Sequence, residues 1–250
     1  MADAFQPKFY REWTSAGPLE SFAVQVGETD LAVKASAALR AETKELVLRH
    51  RRDLTDYAAN HPRFLTSFEP LDADAGAPEI VVLMAQAARE YHVGPMAAVA
   101  GAIAELTGQG LIRIMLERGI TQPEAILENG GDCFVKTARP AVVSLYAGPQ
   151  SPFGSKLKLR IDSDRGSRGV CTSSGTIGHS VSFGKADAVV ALAESAALAD
   201  AAATSICNAV RAPKDVEEAL EREKRRGKLL GLVIVIGEHL GAWGRLEIIR

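Results

Sequence analysis

The chain has 250 residues, of which 47% are hydrophobic and 24% are charged, so it has enough apolar material for a core and enough charge to stay soluble. The formal net charge is −2 and aromatic residues make up only 6%. Proteins that bind nucleic acids or anionic membranes need a positive field, and single-strand binders also need stacking rings. We therefore predict that neither a nucleic acid nor a membrane is a partner.

The ends and the cysteines of the chain favour a cytoplasmic protein. The first residues, MADAFQPKFYREW, lack the basic and then apolar segments of a signal peptide. The longest apolar runs are shorter than the about 20 residues that a bilayer requires. Cys133, Cys171 and Cys207 form no CxxC pair, which is typical of reduced thiols. We expect a single domain over residues 1–250.

The first half of the chain, to about residue 120, predicts a hairpin followed by helices. Alternating residues flank Gly27, and apolar residues at helical spacing follow them. A later helix is built almost entirely from small residues, which is typical of a buried helix close to other backbone. The predicted elements are a hairpin at Ser21–Lys34, helices at Ala37–Asn60, Pro78–Tyr91 and Met96 to about Leu106, helical spacing at Leu111–Arg118, and a loop at Phe64–Pro78.

The second half, from about residue 121, predicts short strands with two helices among them. This mixture indicates an α/β or α+β domain, in which the hairpin and helices pack on the strand-rich part. The predicted strands are Glu124–Glu128, Cys133–Lys136, Ala141–Tyr146, Leu157–Ile161, Asp187–Ala193, a central strand at Leu229–Ile236 and an edge strand at Leu246–Ile249, and the predicted helices are Ala196–Val210 and Asp215–Arg226.

Asn129, Gly130, Gly131 and Asp132 form the first candidate site segment. Two glycines allow positive φ and let backbone N–H groups approach a ligand. The Asn and Asp side chains are suited to holding a hydroxyl or the edge of a ring. Asn-Gly is also the commonest hairpin-turn dipeptide, so a plain turn is the alternative interpretation.

The second candidate segment is Gly169–Gly184, with the sequence GVCTSSGTIGHSVSFG. Cys171 is a candidate nucleophile if a base or a helix dipole lowers its pKa, and His179 is a candidate general acid or base. Both residues also have ordinary structural interpretations, since a lone buried cysteine is usually inert. Small hydroxyl residues and glycines after a strand favour binding of a phosphate, and the candidates are Thr172, Ser173, Ser174, Gly175 and Gly178.

Asp200 and Thr204 form the third candidate segment, Ala199–Thr204 (ADAAAT). Residues i and i+4 share one helix face, so the carboxylate and the hydroxyl point the same way. Two hard oxygen ligands suit Mg²⁺, which usually keeps waters and binds substrate phosphates. The alternative interpretation is an Asp that stabilises a helix N-terminus.

The order and spacing of these segments resemble the ApbE-like superfamily, whose characterised members are Mg²⁺-dependent transferases that move FMN from FAD onto a threonine of a partner protein. Asn129–Asp132 resembles the family's Asn-x-Gly-Gly-Asp turn, and Cys171–Gly175 resembles its Ala-Thr-Ser-Gly motif. Ala199–Thr204 resembles the helix whose Asp and Thr bind the metal. The helix at Ala98–Glu105 resembles a segment whose main-chain carbonyl completes that metal site.

The whole chain is similar to a short cytoplasmic branch of this superfamily, through Glu28–Leu31 (ETDL), Val93–Gly101 (VGPMAAVAG) and Thr172–Gly184 (TSSGTIGHSVSFG). The resemblance implies an ApbE-like fold, with mixed sheet layers and helices around one continuous core. It also implies Mg²⁺ and FAD or FMN as ligands. The candidate partners are therefore a nucleotide-like small molecule, an acceptor protein and a second copy of the chain.

Three functions stay open at this point. The transferases carry a His-x-Ile-Asp-Pro-x-Thr-Gly stretch before the metal helix, whereas the interval Thr176–Ser195 here contains Gly178-His179-Ser180 instead. Flavin binding related to FMN transfer is the first hypothesis. The second is a sulfur-metabolism function that uses Cys171 or Cys133, and the third is a binding module without catalysis.

Overall fold

Two antiparallel sheets and six helices make up the part of the chain that the computed structural model describes, which is residues 19–148, 151–154, 157–162, 166–176 and 182–249. The strands are β1 (Glu20–Val26), β2 (Thr29–Ala35), β3 (Ala125–Asn129), β4 (Asp132–Lys136), β5 (Ala141–Leu145), β6 (Leu157–Ile161), β7 (Arg168–Ser173), β8 (Ala188–Ala193), β9 (Gly231–Ile236), β10 (His239–Gly244) and β11 (Leu246–Ile249). The helices are α1 (Arg40–Asn60), α2 (Arg63–Thr66), α3 (Glu79–Tyr91), α4 (Val99–Glu117), α5 (Ala196–Ala209) and α6 (Asp215–Arg226), and a 3₁₀ turn at Pro95–Ala98 leads into α4.

The larger sheet has eight strands in the order β1-β2-β3-β4-β7-β8-β9-β10. Tight hairpins join β1 to β2 and β3 to β4, with Val26 opposite Thr29 and Asn129 opposite Asp132. The smaller sheet has the order β11-β6-β5. The N-terminal hairpin therefore extends the same sheet that contains the strands from the second half of the chain.

Helices cover one face of the larger sheet and the smaller sheet covers the other. On the helix side, α4 packs on β3 and β4, and α5 packs on β7 and β8. On the opposite side, Leu157, Leu159 and Ile161 of β6 pack with Val170, Val190 and Val233 of the larger sheet. Strands β8 and β9 are buried at every position because both of their faces are covered.

The predicted fold class and most predicted elements are confirmed, with differences of a few residues at their ends. The predicted loop at Phe64–Pro78 begins with the end of α2. Strand β9 is buried at every position, as predicted, and lies between β8 and the edge strand β10. Strand β10, with the sequence HLGAWG, was not predicted, because its two glycines and one alanine obscure the alternation that marks a strand.

One helical stretch in the described part of the chain, Pro95–Glu117, is long and apolar enough to span a membrane by length and composition alone. In the fold, 61% of the most apolar window of this stretch is buried inside the protein. Its apolar character is therefore explained by its position between α1, α5 and the larger sheet.

Helices α4 and α5 approach each other without room for a side chain at their contact. A Cβ atom on Gly101 of α4 would lie 2.3 Å from the carbonyl oxygen of Ala196 and 2.9 Å from Cβ of Asp200. A Cβ atom on Gly169 of β7 would lie 2.3 Å from Cα of Ala196. The small residues of these segments thus allow the first turn of α5 to lie directly against both α4 and β7.

We predict that Gly101→Ala lowers the free energy of unfolding by about 1–3 kcal/mol, because the new methyl group would overlap backbone atoms that cannot rotate away. The substitution would otherwise favour a helix by up to about 1 kcal/mol. Chemical denaturation measures the change. Arg113→Ala on the exposed face of the same helix is the control and should stay within about 0.5 kcal/mol of the wild type. Equal stability of Gly101→Ala and wild type would contradict the close contact.

Candidate functional site

The segment Asn129–Asp132 is the two-residue turn between β3 and β4. Gly130 and Gly131 have φ values of 68° and 107°, as a type I′ hairpin turn requires. The two flanking side chains are on the helix-covered face of the sheet and are each 7% exposed. Asn129 Nδ2 donates a hydrogen bond to the carbonyl oxygen of Ala100 at 3.1 Å. The segment is thus a hairpin turn that also carries buried polar groups to the start of α4.

Asp132 is the first residue of β4, and its side chain reaches the neighbouring strand β7. Its Oδ1 accepts a hydrogen bond from the backbone N–H of Thr172 at 3.2 Å. Burial, and then the nearby charge of Asp200, raise the pKa of the Asp132 carboxyl well above its usual value. The N–H of Thr172 acts in the opposite direction because it donates to the ionised form, and the neighbouring Cys171 side chain acts in the same direction as Thr172.

Asp200 is in the second turn of α5 and points at the start of α4. Its Oδ2 accepts a hydrogen bond from the backbone N–H of Gly101 at 2.9 Å. Burial raises the pKa of this carboxyl to about 7, while the N–H groups of Gly101 and Ala100 favour its ionised form. These N–H groups carry no full positive charge, so they do not neutralise the carboxylate. Asp132 and Asp200 are thus two buried carboxyl groups that interact where little water is present.

Thr204 is half-buried and lies one helical turn after Asp200 on α5. The geometry of the helix places its hydroxyl on the same side as the Asp200 carboxylate. We call Asn129, Asp132, Asp200 and Thr204 the carboxylate site. The structure brings the first three together through hydrogen bonds and charge, and it places Thr204 beside them along α5.

Cys171 is fully buried beside the carboxylate site, with its thiol donating a hydrogen bond to the carbonyl oxygen of Ala196 at 3.2 Å. Burial and the charges of Asp132 and Asp200 raise the pKa of this thiol well above its usual value. A nucleophilic cysteine requires the opposite shift. The condition under which Cys171 was a candidate nucleophile is therefore not met in this geometry.

Cys133 does not share a site with Cys171. The two residues are on neighbouring strands, but Cys133 packs with the smaller sheet, whereas Cys171 packs with the helices. Successive side chains of a strand point to opposite faces, which is why the residue after Asp132 faces away from it. The two thiols therefore lie on opposite faces of the sheet, so a sulfur-metabolism function could not use them as a pair.

The other described residues of the second candidate segment lie at the end of β7 or in the turn that follows it. Thr172 and Ser173 end β7, and after them the N–H of Gly175 donates to the carbonyl oxygen of Ala186 at 2.9 Å. The hydroxyls of Ser174 and Thr176 lie 3.3 Å apart, and that of Thr176 lies 3.4 Å from Asp187 Oδ1. These bonds tie the turn to the start of β8. Gly178 and His179 lie outside the described residues.

The described residues contain no group of three or more His, Cys, Asp or Glu side chains arranged to hold a metal ion. Any metal at the carboxylate site would therefore take most of its ligands from hydroxyl or carbonyl oxygens, from water or from a bound ligand. This is the coordination that Mg²⁺ commonly adopts, whereas structural zinc needs a complete set of side chains.

Sequence reasoning missed two residues that hold the site together, Glu105 and Ser195. Glu105 accepts a hydrogen bond from Ser195 Oγ at 2.7 Å and from the N–H of Ala197 at 3.1 Å. Glu105 is the only charged residue between positions 96 and 112, which was an available signal. A serine directly before a helix was a second signal, since it is a favoured N-cap.

We predict that the metal-free protein loses stability as the pH rises from about 4 to about 7, because the unfolded chain releases the Asp200 proton near pH 4 and the folded chain retains it to about pH 7. Above pH 7 Asp200 is ionised in both states, and the folded protein bears the full free-energy cost of keeping that charge buried. This cost is on the order of a few kcal/mol, at roughly 1.4 kcal/mol per pKa unit. Asp200→Asn should flatten this dependence, which thermal unfolding at pH 5 and pH 8 in the presence of EDTA measures. The exposed control Asp56→Asn should follow the wild type, and an unchanged slope in Asp200→Asn would contradict the assignment.

We also predict that the native protein resists thiol alkylation at pH 8, because all three cysteines are free and buried and burial raises the pKa of Cys171 and Cys207. Iodoacetamide labelling followed by peptide mass spectrometry measures the rate at each cysteine. The urea-unfolded chain is the control and should be labelled at three positions. Rapid labelling of native Cys171 at neutral pH would restore the sulfur-metabolism hypothesis.

Comparisons with known proteins show the family of the chain. A family model described as AbpE bacteria matches residues 11–235. A UPF0280 protein of Methanocaldococcus jannaschii is 43% identical over 210 residues, covering 82% of each chain. A UPF0280 protein of Methanopyrus kandleri is 41% identical over 232 residues, covering 90% of each chain.

Solved structures show the same fold at low sequence identity. The ApbE protein of Thermotoga maritima has a TM-score of 0.58 at 12% identity, covering 89% of this chain and 96% of that chain. The flavinyl transferase ApbE of Pseudomonas stutzeri, in its apo form, has a TM-score of 0.57 at 12% identity, covering 90% and 93%. The chain therefore belongs to the AbpE bacteria family and has the fold of the ApbE proteins.

Proposed function

We propose that this protein binds a flavin nucleotide, FAD or FMN, together with Mg²⁺ at the carboxylate site. The observation that carries the proposal is that Asp132 and Asp200 are both desolvated and close enough to interact electrostatically, with Asp200 bound to the start of α4. The proteins with this fold that are named flavin transferases support the identity of the ligand.

The residues present fit a magnesium ion. Ionising both Asp132 and Asp200 without a counter-ion is costly, and a divalent cation would remove that cost. Asp200 and Thr204 would supply hard oxygen ligands, and the Ala100 carbonyl oxygen, which accepts from Asn129, belongs to the residue before the Gly101 N–H that Asp200 binds. Bound Mg²⁺ would supply positive charge to the phosphates of the ligand.

The surroundings of the site can accept a nucleotide. A Cβ atom on Gly130 or Gly131 would have no neighbour within 4 Å, so there is open space beside the turn. The exposed backbone of such a turn is suited to the edge of a ring. Thr172 and Ser173 bring hydroxyl groups to the end of β7, and hydroxyl groups suit a phosphate.

Transfer of FMN from FAD onto a threonine of an acceptor protein is a second use of the same site. The Asp200–Thr204 pair and the fold favour it. The interval Thr176–Ser195 lacks the His-x-Ile-Asp-Pro-x-Thr-Gly stretch of the transferases, which favours binding alone. We therefore propose flavin binding as the function, and an assay for FMN transfer tests whether the site is also catalytic. The buried thiols give no reason to propose a cysteine-based function.

We predict that FAD fluorescence is quenched on titration with the purified protein in the presence of Mg²⁺, and that Asp200→Asn weakens this binding at least tenfold. The reason is that Asn keeps the hydrogen bond from Gly101 but loses the charge that holds the cation. EDTA should weaken wild-type binding in the same way. Asp56→Asn, which changes an exposed carboxylate on α1, is the matched control and should bind like the wild type.

The same samples separate the possible uses of the site. Absence of FAD quenching at high micromolar protein with Mg²⁺ would refute the proposed function. Binding without release of AMP, in the presence of a threonine-containing acceptor, would indicate a binding module. Release of AMP that depends on Asp200, with FMN bound covalently to the acceptor threonine, would indicate FMN transfer, whereas AMP together with free FMN would indicate hydrolysis of FAD.

A further inference from the structure

Glu105 is a buried carboxylate on α4 whose partners belong to the first turn of α5. It is 7% exposed, and its Oε2 accepts hydrogen bonds from Ser195 Oγ at 2.7 Å and from the N–H of Ala197 at 3.1 Å. Its Oε1 accepts a third hydrogen bond from Gln109 Nε2 at 3.2 Å. Bonds to an ionised acceptor are stronger than neutral ones, and they offset the cost of burying the charge.

A second carboxylate also links α4 and α5, but here the carboxylate belongs to α5 and the donor belongs to α4. Asp200 of α5 accepts a hydrogen bond from the N–H of Gly101 on α4. Gly101 and Glu105 are four residues apart, so they lie on one face of α4 at about 6 Å along its axis. Each helix thus supplies a carboxylate that binds near the N-terminus of the other.

Apolar packing alone constrains α5 poorly along its own axis. Six of the eight residues Ala196–Ala203 are alanines, and α5 lies against Gly101 and Gly169 at its first turn. Such smooth surfaces fix how far apart the elements lie, but they lack the interlocking side chains that resist sliding. The hydrogen bonds of Glu105 to the first turn of α5, together with the bond between Gly101 and Asp200, therefore restrain the axial position of α5.

We infer that Glu105 is a positioning residue for the carboxylate site, because it holds the first turn of α5 and so places Asp200 and Thr204 relative to Gly101 and Asn129. Its effect on ligand binding rests on the proposed function. Its effect on the position of α5 does not, and Cys171 reports on it independently, since the Cys171 thiol donates to the carbonyl oxygen of Ala196 in that same turn.

The test compares Glu105→Ala with Glu105→Gln in the full-length protein. Glu105→Ala should weaken Mg²⁺-dependent FAD binding at least tenfold and should raise the alkylation rate of Cys171 at least tenfold, as read by peptide mass spectrometry. Glu105→Gln should lie closer to the wild type in both measurements, since its amide oxygen can accept the same two hydrogen bonds without the charge.

Leu159→Ala is the control, because it destabilises the fold from the opposite face of the larger sheet. At matched melting temperature it should leave Cys171 slow to react. Equal rates in Leu159→Ala and Glu105→Ala, or a wild-type rate in Glu105→Ala, would overturn the inference. If Glu105→Ala does not fold, Ser195→Ala replaces it, with the same outcomes. Failure of the wild type to bind FAD refutes the proposed function alone, and the Cys171 rates then decide the role of Glu105.

Discussion

The contact between α4 and α5 is the constraint on which the rest of the site depends. Gly101 and Ala196 approach too closely for any side chain to lie between them. This closeness brings the Gly101 N–H within 2.9 Å of Asp200 and allows Glu105 to reach the first turn of α5. The small residues of both helices thus serve a definite purpose, since larger ones would separate the backbone groups from the carboxylates that they bind.

Two buried carboxyl groups determine the electrostatic properties of this contact. Asp132 comes from the β3–β4 hairpin and Asp200 from α5, and burial raises the pKa of both. Folding places these two acids together at a cost in stability, because each disfavours the ionised form of the other. A stable fold that retains such a cost commonly does so at a functional site, where a ligand or cation supplies the missing charge. That reasoning connects the geometry with the proposed binding of Mg²⁺ and a flavin nucleotide.

The same arrangement explains why Cys171 is poorly suited to nucleophilic chemistry. Its thiol is fully buried, and burial together with the charges of Asp132 and Asp200 favours the protonated form. The residue contributes a hydrogen bond to the carbonyl oxygen of Ala196 instead. The hydroxyl residues that follow it continue towards the start of β8, where Asp187 Oδ2 also accepts a hydrogen bond from the N–H of Gly237 at 2.7 Å.

The sequence alone determined most of the elements, because local periodicity and turn chemistry are read within a few residues. The Asn129–Asp132 hairpin and α5 are examples, and so is the face shared by Asp200 and Thr204. The sequence alone could not show that Asp132 interacts with Asp200, that Glu105 accepts a hydrogen bond from Ser195, or that Cys133 and Cys171 face opposite sides of a sheet. These facts depend on which elements pack together across 68 to 90 residues of chain, between Asp132 and Asp200 and between Glu105 and Ser195. Periodicity shows which face of an element is buried, and only the tertiary structure decides what that face is buried against.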